Sequence, residues 1–406
     1  MRISQSGSLG VYVHIPFCRS KCFYCDFVSY AGLESFFPAY VEALSKEASL
    51  YEDSLVETLY VGGGTPTVLG ENLLCALLDE MRSIFRLTSE CEITLEANPG
   101  TITQTGLAIL RGRGVNRLSL GVQGMDDKAL ALLGRIHTVS DVVNAVEYAR
   151  HAGFENLNLD LIFGFPRQTL AQFQRSLTKA LDLSPEHLSL YALSLEEHTP
   201  LAKQIQSGEL PGPDSDLAAE MYEFAEDRLA SEGYIHYEIS NWARTPELVS
   251  RHNIRYWQRK PYIGLGVAAH SFINGWRLAN TQSPEQYISA LCDERGVDQQ
   301  TEPRGRSPAV VTAERVGKEA AMAEAMFLGL RTAEGVLLKA FAAEFGEDLS
   351  AVYGSAITDL VEGGLLEEDS TGVRLTRRGR LLGNQVFYRF LPPVTENGQA
   401  KTAPHP

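Results

Sequence analysis

The sequence is poor in positive charge: 36 Lys and Arg stand against 51 Asp and Glu, a formal net charge of −15. That deficit excludes a general nucleic-acid coat, which needs a basic face to displace counterions. Long apolar runs are lacking too. No stretch of 18 or more apolar residues occurs, and the opening MRISQSGSLG has no apolar core of a secretory signal, so a cytoplasmic protein is expected. Cysteine is sparse, six in 406 residues, which is too few for a disulfide scaffold in a chain of this size. What is present is ordinary globular material, 44% hydrophobic and 21% charged, which excludes disorder as the main state. The length suits two or three domains, or one barrel of about 250 residues with an appendage. The pattern along the chain favours the second.

From Val11 to Ser194, short β-branched and apolar runs alternate with stretches of helical spacing. The runs at 11–16, 58–64, 92–99, 117–123, 156–165 and 187–194 read as strands, and Tyr40 to Leu50, Leu73 to Phe85 and Ser140 to His151 as helices. Six such units in one order imply parallel strands joined by right-handed crossovers. Six falls short of the eight of a closed barrel, so the expectation for residues 1–200 is an α/β fold, a partial (β/α)6 barrel. Residues 201–292 read as an extension of the barrel, with a helix near Asp216 to Ser231 and aromatic-rich short segments. Residues 293–312 read as a linker or long loop. Residues 313–391 read as a small winged-helix-like cap opening on a helix from Ala313 to Leu330, and 392–406 as a mobile tail.

Three of the six cysteines crowd together as C-x3-C-x2-C: Cys18, Cys22 and Cys25, in the loop after the first strand. Soft thiolates select zinc or iron–sulfur clusters. A structural zinc site asks for a fourth ligand, for which His14 is one candidate, since the remaining cysteines form no second pair. A cluster with one iron open to a non-protein ligand fits three cysteines better. Cys75, Cys91 and Cys292 lie in apolar or helical contexts and read as small hydrophobes.

Parallel barrels build their sites where the strands end, and polar residues gather there. Gly62-Gly63-Gly64-Thr65-Pro66 follows strand two, Glu96 and Gln123 end strands three and four, Asp160 lies in strand five, and Arg135 follows in LGRIH. The glycines allow close approach of backbone to a ligand, although a plain strand-to-loop turn reads equally well. Carboxylates suit ribose hydroxyls, and an arginine pairs with a carboxylate in a bidentate way.

The cysteine spacing, on the loop after strand one of a partial barrel, resembles the radical SAM superfamily. YVHIPFC, GGGTP, LEANPG, GVQ, LGRIH and NLDLIFGFP, with the downstream HNIRYW and YIGLGVAAHS, narrow the resemblance to the HemN and HemW group over residues 9 to 391. The resemblance implies a [4Fe–4S] cluster on Cys18, Cys22 and Cys25, with S-adenosylmethionine on its open iron. It implies S-adenosylmethionine contacts from Tyr12, Tyr24, Gly63, Gly64, Thr65, Glu96, Gln123, Arg135 and Asp160. The dehydrogenases of the group carry a further cysteine two residues after the triad and an amino-terminal arm. Here Phe27 stands at that position and about ten residues precede the strand. The HemW-type heme chaperones instead carry H-N-x-x-Y-W, present as His252, Asn253, Tyr256 and Trp257.

That motif has a reading of its own. RHNIRYWQRK (251–260) holds four Arg or Lys and no acid, an imidazole and two large aromatics. Heme asks for such a set, with apolar faces, cations for two propionates and an axial ligand. A hydrogen-bonded core histidine is the alternative for His252, and His14, His137 and His270 are rivals as ligand. The resemblance thus implies a heme carrier serving hemoprotein acceptors such as respiratory enzymes, with an electron donor. An oxygen-independent coproporphyrinogen III dehydrogenase is the alternative. The resemblance also allows a homodimer and peripheral attachment to a membrane during delivery. The run Arg374, Arg377, Arg378 and Arg380 could suggest DNA binding, but the surrounding net charge opposes it and a solvated face suffices.

Overall fold

Each of the six strands carries two polar residues separated by one position: Tyr12 and His14, Thr58 and Tyr60, Thr94 and Glu96, Arg117 and Ser119, Asn158 and Asp160, His187 and Ser189. The residue between them is Val or Leu. Because a strand turns alternate side chains to opposite faces, this pattern builds a sheet with one apolar and one polar face. The computed structural model, which describes residues 7–292 and 307–392, contains that sheet. Its strands are β1 (Leu9–Ile15), β2 (Leu55–Gly63), β3 (Arg86–Ala97), β4 (Arg117–Gln123), β5 (Leu157–Phe163) and β6 (His187–Ala192), all parallel and in sequential order.

The crossovers carry α1 (Phe37–Ser49), α2 (Glu71–Ile84), α3 (Gln104–Gly112), α4 (Asp127–Leu132), α5 (Val139–His151) and α6 (Leu170–Asp182). Their starts are written locally. Thr138 with Asp141 and Thr169 with Gln172 form capping boxes that satisfy the first backbone donors of α5 and α6. The apolar strand face is buried completely, with Val11, Val13, Leu59, Leu95, Leu118, Leu120, Leu159 and Leu188 all at 0% exposure. The polar face lines the concave side, so this barrel lacks the branched apolar filling usual in closed barrels.

Residues after Ala192 extend the same sheet at both edges. α7 (Pro200–Gln206) and α8 (Ser215–Ser231) precede β7 (Ile235–Glu238) and β8 (Asn241–Ala243), and β8 pairs antiparallel with β6. After α9 (Arg251–Trp257), β9 (Tyr262–Leu265) joins β1 in parallel, which gives a seventh parallel strand that the aromatic-rich pattern concealed. β10 (His270–Ile273), β11 (Trp276–Asn280), the helix α10 (Pro284–Cys292) and β12 (Val310–Arg315) complete a twelve-stranded sheet.

Backbone packing divides the chain into two compact units. The first holds residues up to Arg255 and Lys260–Arg315, and the second holds Tyr256–Arg259 and residues from Val316 onward. The helix expected from Ala313 therefore needs correction. Val310 to Arg315 form β12, paired with β11, and α11 (Lys318–Gly329) begins only after Gly317, whose extended backbone ends the strand. The β-branched start of VVTAER outweighs the helical spacing that follows it. Of the expected linker, 293–306 lies outside the described residues, and so does the expected tail beyond Pro392. The second unit contains α11, β13 (Val336–Leu337), α12 (Leu338–Phe345), α13 (Leu349–Glu362), β14 (Leu366–Glu368), β15 (Gly372–Leu375), α14 (Arg377–Leu381) and α15 (Gly383–Tyr388). β13, β15 and β14 form a three-stranded antiparallel sheet beside the helices, a winged-helix-like arrangement.

Among the described residues, no helix is long and apolar enough to cross a membrane.

Candidate cluster and cofactor site

β1 ends at Ile15, and the chain then folds back over the strand ends as the cysteine loop. The loop is tied down by backbone bonds from Cys18 N to Tyr30 O (2.9 Å), Tyr30 N to Pro16 O (2.7 Å) and Phe23 N to Leu133 O (3.1 Å). Each thiol is half-buried, and each sulfur accepts a hydrogen bond. Thr65 Oγ1 donates to Cys18 Sγ at 3.6 Å, Arg135 Nη1 donates to Cys22 Sγ at 3.3 Å, and the Phe27 backbone N–H donates to Cys25. Donors aimed at sulfur are what thiolate ligands to iron use to tune a cluster. Burial pushes the Cys18 and Cys25 thiols above their usual range, so a bound metal must draw off their protons. Among the described residues no three His, Cys, Asp or Glu side chains converge closely enough to share one metal ion. Three thiolates without a fourth protein ligand suit a cluster, whose irons take one thiolate each, better than a structural zinc, which asks for four. His14 is not a fourth ligand: its ring nitrogens bond the Tyr12 hydroxyl at 2.8 Å and Val28 O at 2.9 Å.

The glycine segment is shaped first by the protein itself. Gly63 has φ 112°, and a Cβ there would sit 2.4 Å from the His14 ring, while one on Gly64 would sit 2.6 Å from Phe17 O. Its N–H groups are committed as well, Gly63 to Glu96 Oε2 (2.9 Å), Gly64 to Ile15 O (2.9 Å) and Thr65 to Phe17 O (2.7 Å). What the segment can offer a ligand is carbonyl oxygen, the acceptor an ammonium group needs. Gly64→Ala is expected to prise the cysteine loop from β2, lowering stability by about 1–3 kcal/mol. Iron content after reconstitution and a urea melt check this.

Below the loop, Glu96 accepts from Tyr60 Oη at 2.6 Å, and burial pushes its carboxyl up to about 7. Asp160 accepts from Ser119 Oγ and from Asn158 Nδ2, each at 2.9 Å, and burial raises it also. Gln123 is held at φ 63°, a left-handed conformation rare outside glycine, and its buried Oε1 has no hydrogen-bond partner among the described residues. A strained residue with an orphaned acceptor at the barrel mouth marks a place for a donor from a ligand. Arg135 donates through Nη2 to Asn98 Oδ1 (2.6 Å) and Gly121 O (2.7 Å), so it links the cysteine loop to β3 and β4. Tyr24 lies beside Arg135, and Tyr12 reaches His14 from β1. The structure thus brings Tyr12, Tyr24, Gly63, Gly64, Thr65, Glu96, Gln123, Arg135 and Asp160 to one end of the barrel with the three cysteines. The orphaned Gln123 Oε1, the carbonyls and the two carboxylates are acceptors that fit the amine and hydroxyl groups of S-adenosylmethionine, and the Arg135 guanidinium is the donor that fits its carboxylate.

The H-N-x-x-Y-W residues do not join them. They lie on α9, whose N-terminus is capped by Glu92, which accepts from Arg251 N and His252 N at 3.0 Å each. His252 is 1% exposed, bonds Thr58 Oγ1 through Nδ1 at 2.9 Å, and lies 5.1 Å from the Tyr60 ring. Burial pushes its imidazole down to about 3. The cations of this stretch are committed. Arg255 is buried against Glu57 at 2.5 Å and the carbonyls of Ser8 and Pro261, and Arg259 pairs with Glu324 and Glu344. The local reversal of sign is therefore neutralised by acids distant in sequence. Within the second unit, the Arg331 guanidinium lies 4.7 Å from the centre of the Trp257 ring. Of the rivals, His137 is buried on Val122 O, and His270 opens β10.

Sequence reasoning overlooked Asn98, which bonds both Thr65 and Arg135, and the chain of Ser119, Asn158, His187 and Tyr237 that leads down the barrel. The period-two polarity of the strands was the available signal.

Comparison with known proteins agrees with this geometry. The radical SAM superfamily matches residues 12–180, and the HemN C-terminal domain matches residues 316–382. The chain is 39% identical to the heme chaperone HemW of Bacillus subtilis over 386 residues, 94% of this chain and 98% of that one. It is 36% identical over 389 residues to the heme chaperone HemW of Mycobacterium tuberculosis, 94% of each. It is 35% identical to the mouse mitochondrial radical S-adenosyl methionine domain-containing protein 1, over 98% of this chain and 90% of that one. Among solved structures, coproporphyrinogen III oxidase (HemN) from Escherichia coli, a radical SAM enzyme, superposes with a TM-score of 0.80 at 25% identity, over 94% of this chain and 90% of that one.

Proposed function

The chain belongs to the radical SAM superfamily and, within it, to the family of the heme chaperone HemW, and from that membership we propose that it binds heme and hands it to hemoprotein acceptors. Cys18, Cys22 and Cys25 hold a [4Fe–4S] cluster, which when bound supplies an electron and one iron open to S-adenosylmethionine. The carbonyls of Gly63 and Gly64, with Thr65, receive the methionine ammonium. Glu96 and Asp160 receive ribose hydroxyls. Gln123, Arg135, Tyr12 and Tyr24 orient the adenosyl and carboxylate ends. The H-N-x-x-Y-W helix is the heme-handling element, with His252 as axial ligand, Asn253 beside it, and Tyr256 and Trp257 as the aromatic surface.

The observation that carries the chaperone reading over the dehydrogenase is Phe27, 60% exposed where the dehydrogenases place their additional cysteine. Heme titration gives a Soret band that weakens in His252→Ala and persists in Thr58→Val, which removes the Thr58 hydroxyl from Nδ1 and keeps the imidazole. Coproporphyrinogen III with S-adenosylmethionine and reductant gives no sustained protoporphyrinogen. Sustained turnover overturns the carrier reading.

A further inference from the structure

Arg117 opens β4 with its side chain on the concave, polar face of the barrel, 2% exposed. Its Nε has no hydrogen-bond partner among the described residues, and no carboxylate there comes within ion-pair distance of it. A guanidinium that is buried without a direct partner is costly and needs a reason to be there. The register supplies its setting. Arg117 lies opposite Thr94 on β3, and Ser119 lies opposite Glu96, so Arg117 sits one inward step beneath the carboxylate layer at the barrel mouth. Gly121 lies opposite Asp160 on the other side. Glu96 and Asp160 are thus two buried carboxylates on either side of β4; the Asp160 charge adds to the cost of ionising Glu96, and the buried cation beneath them favours the ionised form of both.

We propose that Arg117 is a positioning residue whose charge favours the anionic forms of Glu96 and Asp160, in which they receive the hydroxyl and cationic groups of S-adenosylmethionine. The proposal rests on the reading of the site above. It explains how an arginine can sit there with its Nε unpartnered and no carboxylate within ion-pair distance among the described residues: the field of the two acids holds it, and a field needs no contact. The other groups facing Glu96 cannot replace it. Tyr12 and His14 on β1, Tyr60 on β2, Tyr191 on β6 and His252 on α9 are neutral near pH 7, since burial pushes the tyrosines up and the histidines down. Arg117 also contributes to the lowering at His252 and His187.

The test is equilibrium binding of S-adenosylmethionine to the anaerobically reconstituted full chain from pH 6 to 9, for wild type, Arg117→Met, Arg117→Lys, Glu96→Gln and Asp160→Asn. Wild-type affinity is expected to rise with pH through about 7, where Glu96 ionises. In Arg117→Met the midpoint moves up by about one pH unit, so that binding is about fivefold weaker at pH 7 and converges on wild type at pH 9. Arg117→Lys keeps the wild-type profile. A merely structural arginine would weaken binding equally at every pH, and that result, or an unchanged Arg117→Met profile, overturns the proposal. If Glu96→Gln and Asp160→Asn bind as wild type does, the reading of the site fails; if they lose binding while Arg117→Met does not, only the role of Arg117 fails. Should Arg117→Met not fold, Arg117→Gln takes its place: a midpoint displaced upward in it supports the proposal, and loss of affinity without pH dependence contradicts it.

Discussion

Replacing Cys18, Cys22 and Cys25 together by serine reduces iron from about four per chain to background after anaerobic reconstitution and leaves the far-ultraviolet circular dichroism unchanged. Loss of iron follows because serine cannot supply the soft thiolate that iron–sulfur clusters require. Persistence of the fold follows from how the loop is held. Its backbone ties run from Cys18 to Tyr30, Phe23 to Leu133 and Leu201 N to Phe23 O and do not involve sulfur, and the donors Thr65 and Arg135 that reach Cys18 Sγ and Cys22 Sγ find an acceptor in a serine oxygen as well. The apolar strand face beneath is buried independently of the loop. Iron and acid-labile sulfide assays with a urea melt check both halves. Retained iron would place the cluster elsewhere, and global unfolding would make the loop part of the core.

Glu47→Ala is expected to cost about 3–5 kcal/mol, a large effect for one substitution. Glu47 on α1 is 1% exposed, and its carboxylate gathers segments far apart in sequence. It accepts from Gly266 N (2.8 Å), Asn280 Nδ2 (2.8 Å), Tyr287 Oη (2.6 Å) and Ser307 Oγ (2.6 Å). Alanine leaves Gly266 N, Tyr287 Oη and Ser307 Oγ without that acceptor, each costing roughly 1–3 kcal/mol before relaxation, while Asn280 Nδ2 keeps its bond to Gly266 O. Glu47→Gln keeps the shape and one acceptor oxygen, so it costs less. Urea midpoints of the two variants against wild type check the order, and a Glu47→Ala change below about 1 kcal/mol would mean that water replaces the carboxylate.

How much could be seen beforehand follows from how local each signal is. The six parallel strands, the cysteine loop and the C-terminal helices are set by runs of a few residues, and their periodicity is visible in the chain. Val310 to Arg315 went astray because six residues of edge strand adjoin a longer helical pattern, and pairing with β11, not local preference, decides them. β9 was hidden for the same reason: YIGL becomes a parallel strand only through β1. At the site, the residues at the strand ends were legible because barrel geometry dictates where they must be. The fate of the basic stretch 251–260 was not, since Glu57, Glu324 and Glu344, which neutralise it, reach Arg255 and Arg259 through tertiary structure. His252 likewise read as an available ligand, while Thr58, 194 positions away, holds its Nδ1. Arg117 was passed over because one arginine at the start of a strand resembles a surface residue until the register turns it inward.

The most direct test of the account is the fate of a bound tetrapyrrole. Heme-loaded, cluster-containing protein is mixed without oxygen with the apo form of a hemoprotein, and the two Soret bands are followed. Heme leaving this protein and appearing in the acceptor in equal amount, faster than from a passive heme-binding protein at the same concentration, is the predicted result. Transfer no faster than passive release would contradict it.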